Sequence, residues 1–310
     1  MFWNRLRDLL LLLLLGLALA VPPVLAGDDN DEDEEASEAP DEPVLLWKVE
    51  GEEQNVWLYG SVHLLTEDHY PLPDKVNEAF EDSRHLVVET DTLNIDPQVQ
   101  QELVVNKAML PADESLEDIL GEKDYERAQE LLEELGYDIA QLEGVRPWFI
   151  ALTVSVGALE QLGYTEEYGI ETHFLERAED KGKSVHELES FRQQLEIFDG
   201  LSNEMQVRFL MQSLEEAADI EPHIEKLLTA WEEGDLDTLE EVLQESFAEY
   251  PELYDRIIAD RNEAWIPKIE EFLAREHEQD YFVVVGALHL VGEDSVLRML
   301  EERGYEPQRQ

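Results

Sequence analysis

The sequence predicts an α/β fold: a central mixed sheet with helices on its faces and a large helical insertion in the middle of the chain. Three observations carry that expectation. Short apolar runs bounded by turn residues stand towards both ends, at 44–49, 55–60, 85–90 and 281–285. Across 97–163 and again from 192 to about 275, apolar residues recur at helical spacing. Strands and helices therefore do not alternate as they would in a simple βαβ array.

Residues 1–26 stand apart from this domain. Arg5 and Arg7 precede an uncharged leucine-rich stretch starting at Leu9, which ends in Val24-Leu25-Ala26. That is the layout of a secretory signal peptide, and export to the periplasm or the extracellular space follows from it. A retained anchor is the alternative, because 9–26 nearly spans a bilayer; Pro22 and Pro23 break such a helix near its end. Without a cysteine after the apolar stretch, a lipoprotein anchor is excluded. Residues 27–43 hold ten acids between Asp28 and Glu42 and read as a disordered linker. The folded domain is expected over 44–310, with no later segment apolar enough to cross a membrane.

Two strands, 44–49 and 55–60, are joined by the turn Gly51-Glu52-Glu53. A helix over 74–84 presents Val76, Ala79 and Phe80 on one face, and a third strand covers 85–90. Helices are expected around 98–108, 125–135 and 147–162, the last mostly apolar and buried, with Pro147 at its start. Residues 169–180 are helical, Lys181-Gly182-Lys183 ends that helix, and 184–189 is a fourth strand. Helices then run to about 275 with interruptions near Pro222, Gly234 and Pro251. The strand 281–285, a helix over 294–303 and a short tail at Tyr305 close the chain.

Of the 310 residues 75 are acidic and 22 basic, a formal charge of −53. Such a chain repels nucleic acid phosphates and anionic lipid, so neither is an expected partner. The absence of cysteine rules out disulfides, thiolate catalysis and cysteine metal sites, and no Gly-x-Ser-x-Gly is present.

The chemistry points to two copies of one motif. Gly60-Ser61-Val62-His63-Leu64 and Gly286-Ala287-Leu288-His289-Leu290 each follow an apolar strand. A glycine leaving a strand is expected to allow a sharp turn, and the histidine then faces the crevice beyond the strand's carboxyl end, where α/β sheets hold ligands. Glu89 and Glu189 end two further strands. Two histidines and two glutamates suit zinc, manganese or another divalent ion, and a glutamate off the metal can serve as general base. Arg261-Asn262 lies in a helical stretch where spacing alone does not single it out. The other six histidines (His69, His85, His173, His186, His223 and His277) have no second motif beside them and read as structural or exposed.

Taken together, these blocks resemble the TraB/GumN family, which is related to the Tiki metalloproteases. Leu58-Tyr59-Gly60-Ser61-Val62-His63, Val87-Val88-Glu89-Thr90-Asp91, Arg146-Pro147-Trp148, Tyr168-Gly169-Ile170-Glu171, Leu188-Glu189, Gln194-Leu195, Asp260-Arg261-Asn262 and Val285-Gly286-Ala287-Leu288-His289 carry the resemblance from about Val44 to Tyr305. It implies one active site containing His63, Glu89, Arg261 and His289, with Asn262 and Glu189 as lesser members. It also implies peptide cleavage with manganese or cobalt, with His63 and His289 holding the ion, Glu89 holding it or activating water, and Arg261 facing the developing oxyanion. A binding protein for a peptide or metal complex, without turnover, and a haem or iron carrier are the alternatives. Ile170-Glu171 departs from the aspartate or glycine-rich start frequent in the family, a difference expected to affect helix capping more than the site.

Overall fold

A computed structural model describes residues 43–248, 250–275 and 279–310. The expected signal peptide (1–26), the linker apart from its last residue, and His277 lie outside the described residues.

Among the described residues the sheet has six strands: β1 (Leu46–Glu50), β2 (Asn55–Ser61), β3 (His85–Val88), β4 (Ser184–Glu187), β5 (Tyr281–Gly286) and β6 (Gln308–Arg309). Their order is β4-β3-β5-β2-β1-β6, with β4, β3, β5 and β2 parallel and β1 antiparallel to β2 and β6. This is the mixed sheet the sequence predicts. β5 lies at its centre with all six residues buried, as a parallel strand covered on both faces requires. Each buried valine there contributes roughly 1.5–3 kcal/mol over an exposed one.

Helix α1 (Asp74–Asp82) buries Val76, Ala79 and Phe80, the face foreseen. The insertion comprises α2 (Pro97–Ala108), α3 (Leu116–Glu134), α4 (Pro147–Gln161), α5 (Ile170–Asp180), α6 (Phe191–Asp199), α7 (Asn203–Ala217), α8 (Glu221–Glu232), α9 (Leu236–Phe247), α10 (Pro251–Tyr254) and α11 (Asp260–Leu273). α4 is the buried helix of this group, with Trp148, Ile150, Leu152 and Leu159 in the core, and it packs on α7. α12 (Val296–Glu302) follows β5.

Four details depart from expectation. α3 begins at Leu116 instead of near 125, because Ser115 caps it and Gly121 (φ 73°) kinks it; that glycine breaks the apolar period. The helical run is interrupted at 200–202 as well, where Ser202 caps α7. The tail beyond Tyr305 adds β6 to the outer edge of β1, with Arg309 donating to Val44 O at 3.1 Å. Finally, neither motif glycine adopts a left-handed turn. Gly286 has φ −50° and ψ 135°, and Gly60 is needed for space: a Cβ there would stand 3.1 Å from Ala287 Cα and 3.2 Å from Leu45 Cβ.

Candidate active site

Parallel pairing of β2 with β5 sets Gly60 beside Val285 and Ser61 beside Gly286, so the two Gly-x-x-His motifs leave neighbouring strands at the same end of the sheet. β3 and β4 end there too. Past their last paired residues the ladder continues, with Leu188 N donating to Val88 O and Glu189 N to Glu89 O, both at 2.9 Å. Glu89 and Glu189 are therefore adjacent.

Arg261 ties these strand ends together. Its Nη2 donates to Glu89 Oε2 and Glu189 Oε1, each at 2.5 Å, and its Nε to Glu189 Oε1 at 2.9 Å. Nη1 donates to His289 Nε2 at 3.0 Å and to Ile257 O at 3.2 Å. The guanidinium also lies 4.7 Å from the centre of the Trp265 ring, which is 4.5 Å from the His289 ring. The aim of Arg261 depends on its helix: a π turn, Asp255–Ala259, precedes α11, and such turns shift the face a following side chain presents.

Each motif histidine has its Nδ1 held by a side-chain acceptor. His289 Nδ1 meets Asn262 Oδ1 at 2.6 Å, and Asn262 Nδ2 in turn donates to Asp294 O at 2.7 Å. His63 Nδ1 lies 2.8 Å from Glu171 Oε2, and Ser61 Oγ donates to the other Glu171 oxygen. Glu89 Oε1 accepts the Gly286 N–H at 2.8 Å and stands 3.8 Å from His289 Nε2. Gln194 Nε2 donates to Glu189 Oε1 at 3.2 Å and reaches Glu89 Oε2 at 3.5 Å; its buried Oε1 has no hydrogen-bond partner among the described residues.

All of these side chains are buried, which governs their charge states. Burial pushes the Glu89 carboxyl above its ordinary range, with Arg261, His63 and the Gly286 N–H opposing and Glu189 adding to the rise. Burial, with Arg261 and His63 nearby, pushes His289 well below its ordinary value, so it is neutral at pH 7. Burial alone would lower Arg261, yet Glu89 and Glu189 outweigh it and hold the guanidinium charged. Burial would also raise Glu171, but the charge and hydrogen bond of His63 and the Ser61 hydroxyl bring it below its usual range. His63 thus acts electrostatically on Glu89, His289 and Glu171 alike.

Of the residues singled out in the sequence, Glu89, Glu189, Arg261, Asn262 and His289 share one hydrogen-bonded cluster, and His63 joins it through charge. Glu171 overturns one expectation. Far from merely adjusting a helix start, it is buried against His63 and Ser61. Gln194 and Trp265 are not among the site candidates; Gln194 stands in one of the blocks that carry the family resemblance, and Trp265 lies four residues beyond Arg261. His85 and His186 pair with each other at 3.2 Å, and His69 pairs with Glu232.

The donor types fit a divalent ion: two imidazoles fixed at Nδ1, a carboxylate, and the unpartnered Gln194 oxygen. Among the described residues no group of three or more His, Asp or Glu stands arranged to hold a metal ion. The space between Glu89, Glu189 and His289 is taken by the Arg261 guanidinium.

Comparison with known proteins gives a consistent relationship. The TraB/PrgY/gumN family matches residues 45–309. The chain is 28% identical over 243 residues to the uncharacterized protein YbaP of Escherichia coli (strain K12), covering 78% of this chain and 86% of that protein, and equally to YbaP of Shigella flexneri. It is 25% identical to a metalloprotease TIKI homolog of Amphimedon queenslandica, covering 84% of this chain and 60% of that protein. No solved structure gives a significant match. With all but its N-terminal segment matched, the chain belongs to the TraB/PrgY/gumN family.

Proposed function

We propose that the protein is an exported, metal-dependent hydrolase of peptides, working in the periplasm or outside the cell. One observation carries the reading: both motif imidazoles are held at Nδ1 by side-chain acceptors, Glu171 and Asn262, the arrangement that fixes a ligating Nε2. The likeness to a protein named a metalloprotease supports it.

His63 and His289 would hold the ion, with Glu89 either completing its ligands or standing off it as the base, and in such sites the ion activates water and polarises the carbonyl it meets. Manganese, cobalt and zinc all suit these donors. Glu89, raised by burial, is matched to taking a proton from water and passing it to the leaving amine. Arg261 offers its guanidinium to the charge that develops on the carbonyl oxygen, and Glu189 orients it through Nε and Nη2. Asn262 fixes the His289 tautomer with Nδ1 protonated, leaving Nε2 as the acceptor.

The test uses purified full-length protein supplied with manganese, cobalt or zinc, a peptide mixture, and mass spectrometry of the products. His63→Ala and His289→Ala should each lose bound ion and cleavage by about 100-fold. Cleavage retained in either variant overturns the reading. A second reading, peptide binding without turnover, is favoured by the Arg261 guanidinium filling the space among the carboxylates; saturable binding with no product under any of the three metals would establish it.

A further inference from the structure

β4 ends the sheet order among the described residues, and its outer edge plays no part in the buried site. Along a strand, the N–H and C=O groups of successive residues point to alternate sides. Ser184 and Leu188 send their N–H groups towards β3, to Arg84 O and Val88 O. Val185 and Glu187 therefore direct theirs outward. Lys268 Nζ meets Leu188 O at 2.7 Å, where β4 ends, and reaches the outward Glu187 O at 3.4 Å, so its ammonium caps the C-terminal end of this edge.

Beyond this edge lies a cavity of about 480 Å³, walled by β4 on one side and by Lys268, Glu271 and Phe272 of α11 on the other, with Asp91 also lining it. That volume falls within the roughly 300–1,000 Å³ of ligand clefts. A lysine that merely guards an edge against pairing needs no such space. The groove also follows the segments that carry the site: Glu187 is two residues before Glu189, Asp91 two beyond Glu89, and Lys268 shares α11 with Arg261. Three lining carboxylates (Asp91, Glu187 and Glu271) face one ammonium.

We propose that the β4 edge receives an extended peptide segment as an added strand, its backbone on the Val185 and Glu187 groups and its basic side chains on Asp91, Glu187 and Glu271. This strand is the substrate of the hydrolase proposed above, and only its cleavage, not its binding, depends on that reading. Main-chain bonds supply affinity in such additions, and side-chain contacts supply preference.

The test is fluorescence anisotropy with the full-length protein and a labelled peptide of about nine residues alternating lysine and valine, at physiological ionic strength. Saturable binding is expected, weakened about tenfold or more by N-methylation of alternate backbone amides, which removes donors without touching charge. Val185→Pro removes one outward N–H without breaking a ladder bond and should have a like effect. The Glu187→Lys/Glu271→Lys double variant, which leaves the strand backbone intact, should weaken binding comparably, whereas Glu130→Lys/Glu133→Lys on the exposed face of α3 should not. No binding, equal binding of the methylated peptide, or equal loss in the α3 control overturns the proposal. Binding that meets every expectation without product sinks the peptidase reading and leaves the groove standing; cleavage indifferent to Val185→Pro and to methylation does the reverse.

Discussion

Arg261 is the residue on which the buried charges depend. Its guanidinium forms ion pairs with both Glu89 and Glu189, each out of water. Removing one partner of a buried ion pair costs about 3–5 kcal/mol, whereas replacing the whole set with apolar residues is frequently neutral. Arg261→Met should therefore lower unfolding free energy by that amount in urea, and Arg261→Met/Glu89→Leu/Glu189→Leu should recover most of it. A triple variant no more stable than the single one would show that the carboxylates matter through other contacts. His173 gives a second residue-scale expectation. Burial, helped by Arg177, pushes it from 6.5 down to about 4. Below pH 6.5 the unfolded chain takes a proton that the folded one refuses. Stability from this group is therefore complete above that pH and is lost as the pH falls towards 4, by well under about 1.4 kcal/mol per unit because water screens the half-buried ring. His173→Gln should flatten the urea-derived stability curve across that window; an unchanged slope would remove His173 as its source.

At the scale of elements, the π turn Asp255–Ala259 sets the direction of Arg261. One residue contributes about 100° of helical rotation, so deleting Ala259 should turn the guanidinium away from both glutamates. The expected result is helix content preserved by circular dichroism with a stability loss close to that of Arg261→Met; a wild-type melting curve would mean that the turn is incidental. This element also shows where sequence reasoning stops. The strands, the apolar α4 and the two motifs are written in local periodicity and were legible. A π turn leaves no periodic trace, so Arg261 is recognisable only through family resemblance. Glu171 resembles any acid at a helix start, since its partner His63 is remote in sequence and reaches it only through tertiary packing. The Gly60 position was legible but its reason was not. The close approach of Ala287 becomes visible only once β2 and β5 lie side by side.

Over the whole molecule the dominant quantity is charge. At −53, the compact state repels itself, and added salt shortens the screening length from about 8 Å at physiological strength to about 3 Å at 1 M. The melting temperature should rise with sodium chloride, by roughly 2–4 °C for each kcal/mol of repulsion relieved, as followed by calorimetry. A flat or falling profile would mean that local ion pairs already offset the acids. The described ion pairs are too few for that, and several are exposed i,i+3 or i,i+4 contacts.

The pairing of β2 with β5 has one more consequence, in the order of events as the chain is made. Synthesis delivers His63, Glu89 and Glu171 early, while the strand that must slot between β2 and β3 arrives only after every helix of the insertion. Until then Glu89 lacks the Gly286 amide, and the first imidazole has no counterpart. Assembly therefore waits on a contact between distant ends of the chain, the slow kind to close. A nascent or truncated polypeptide holds the pieces of the centre but not the assembled centre, a built-in delay that would keep the proposed hydrolase silent until both ends of the sheet are made.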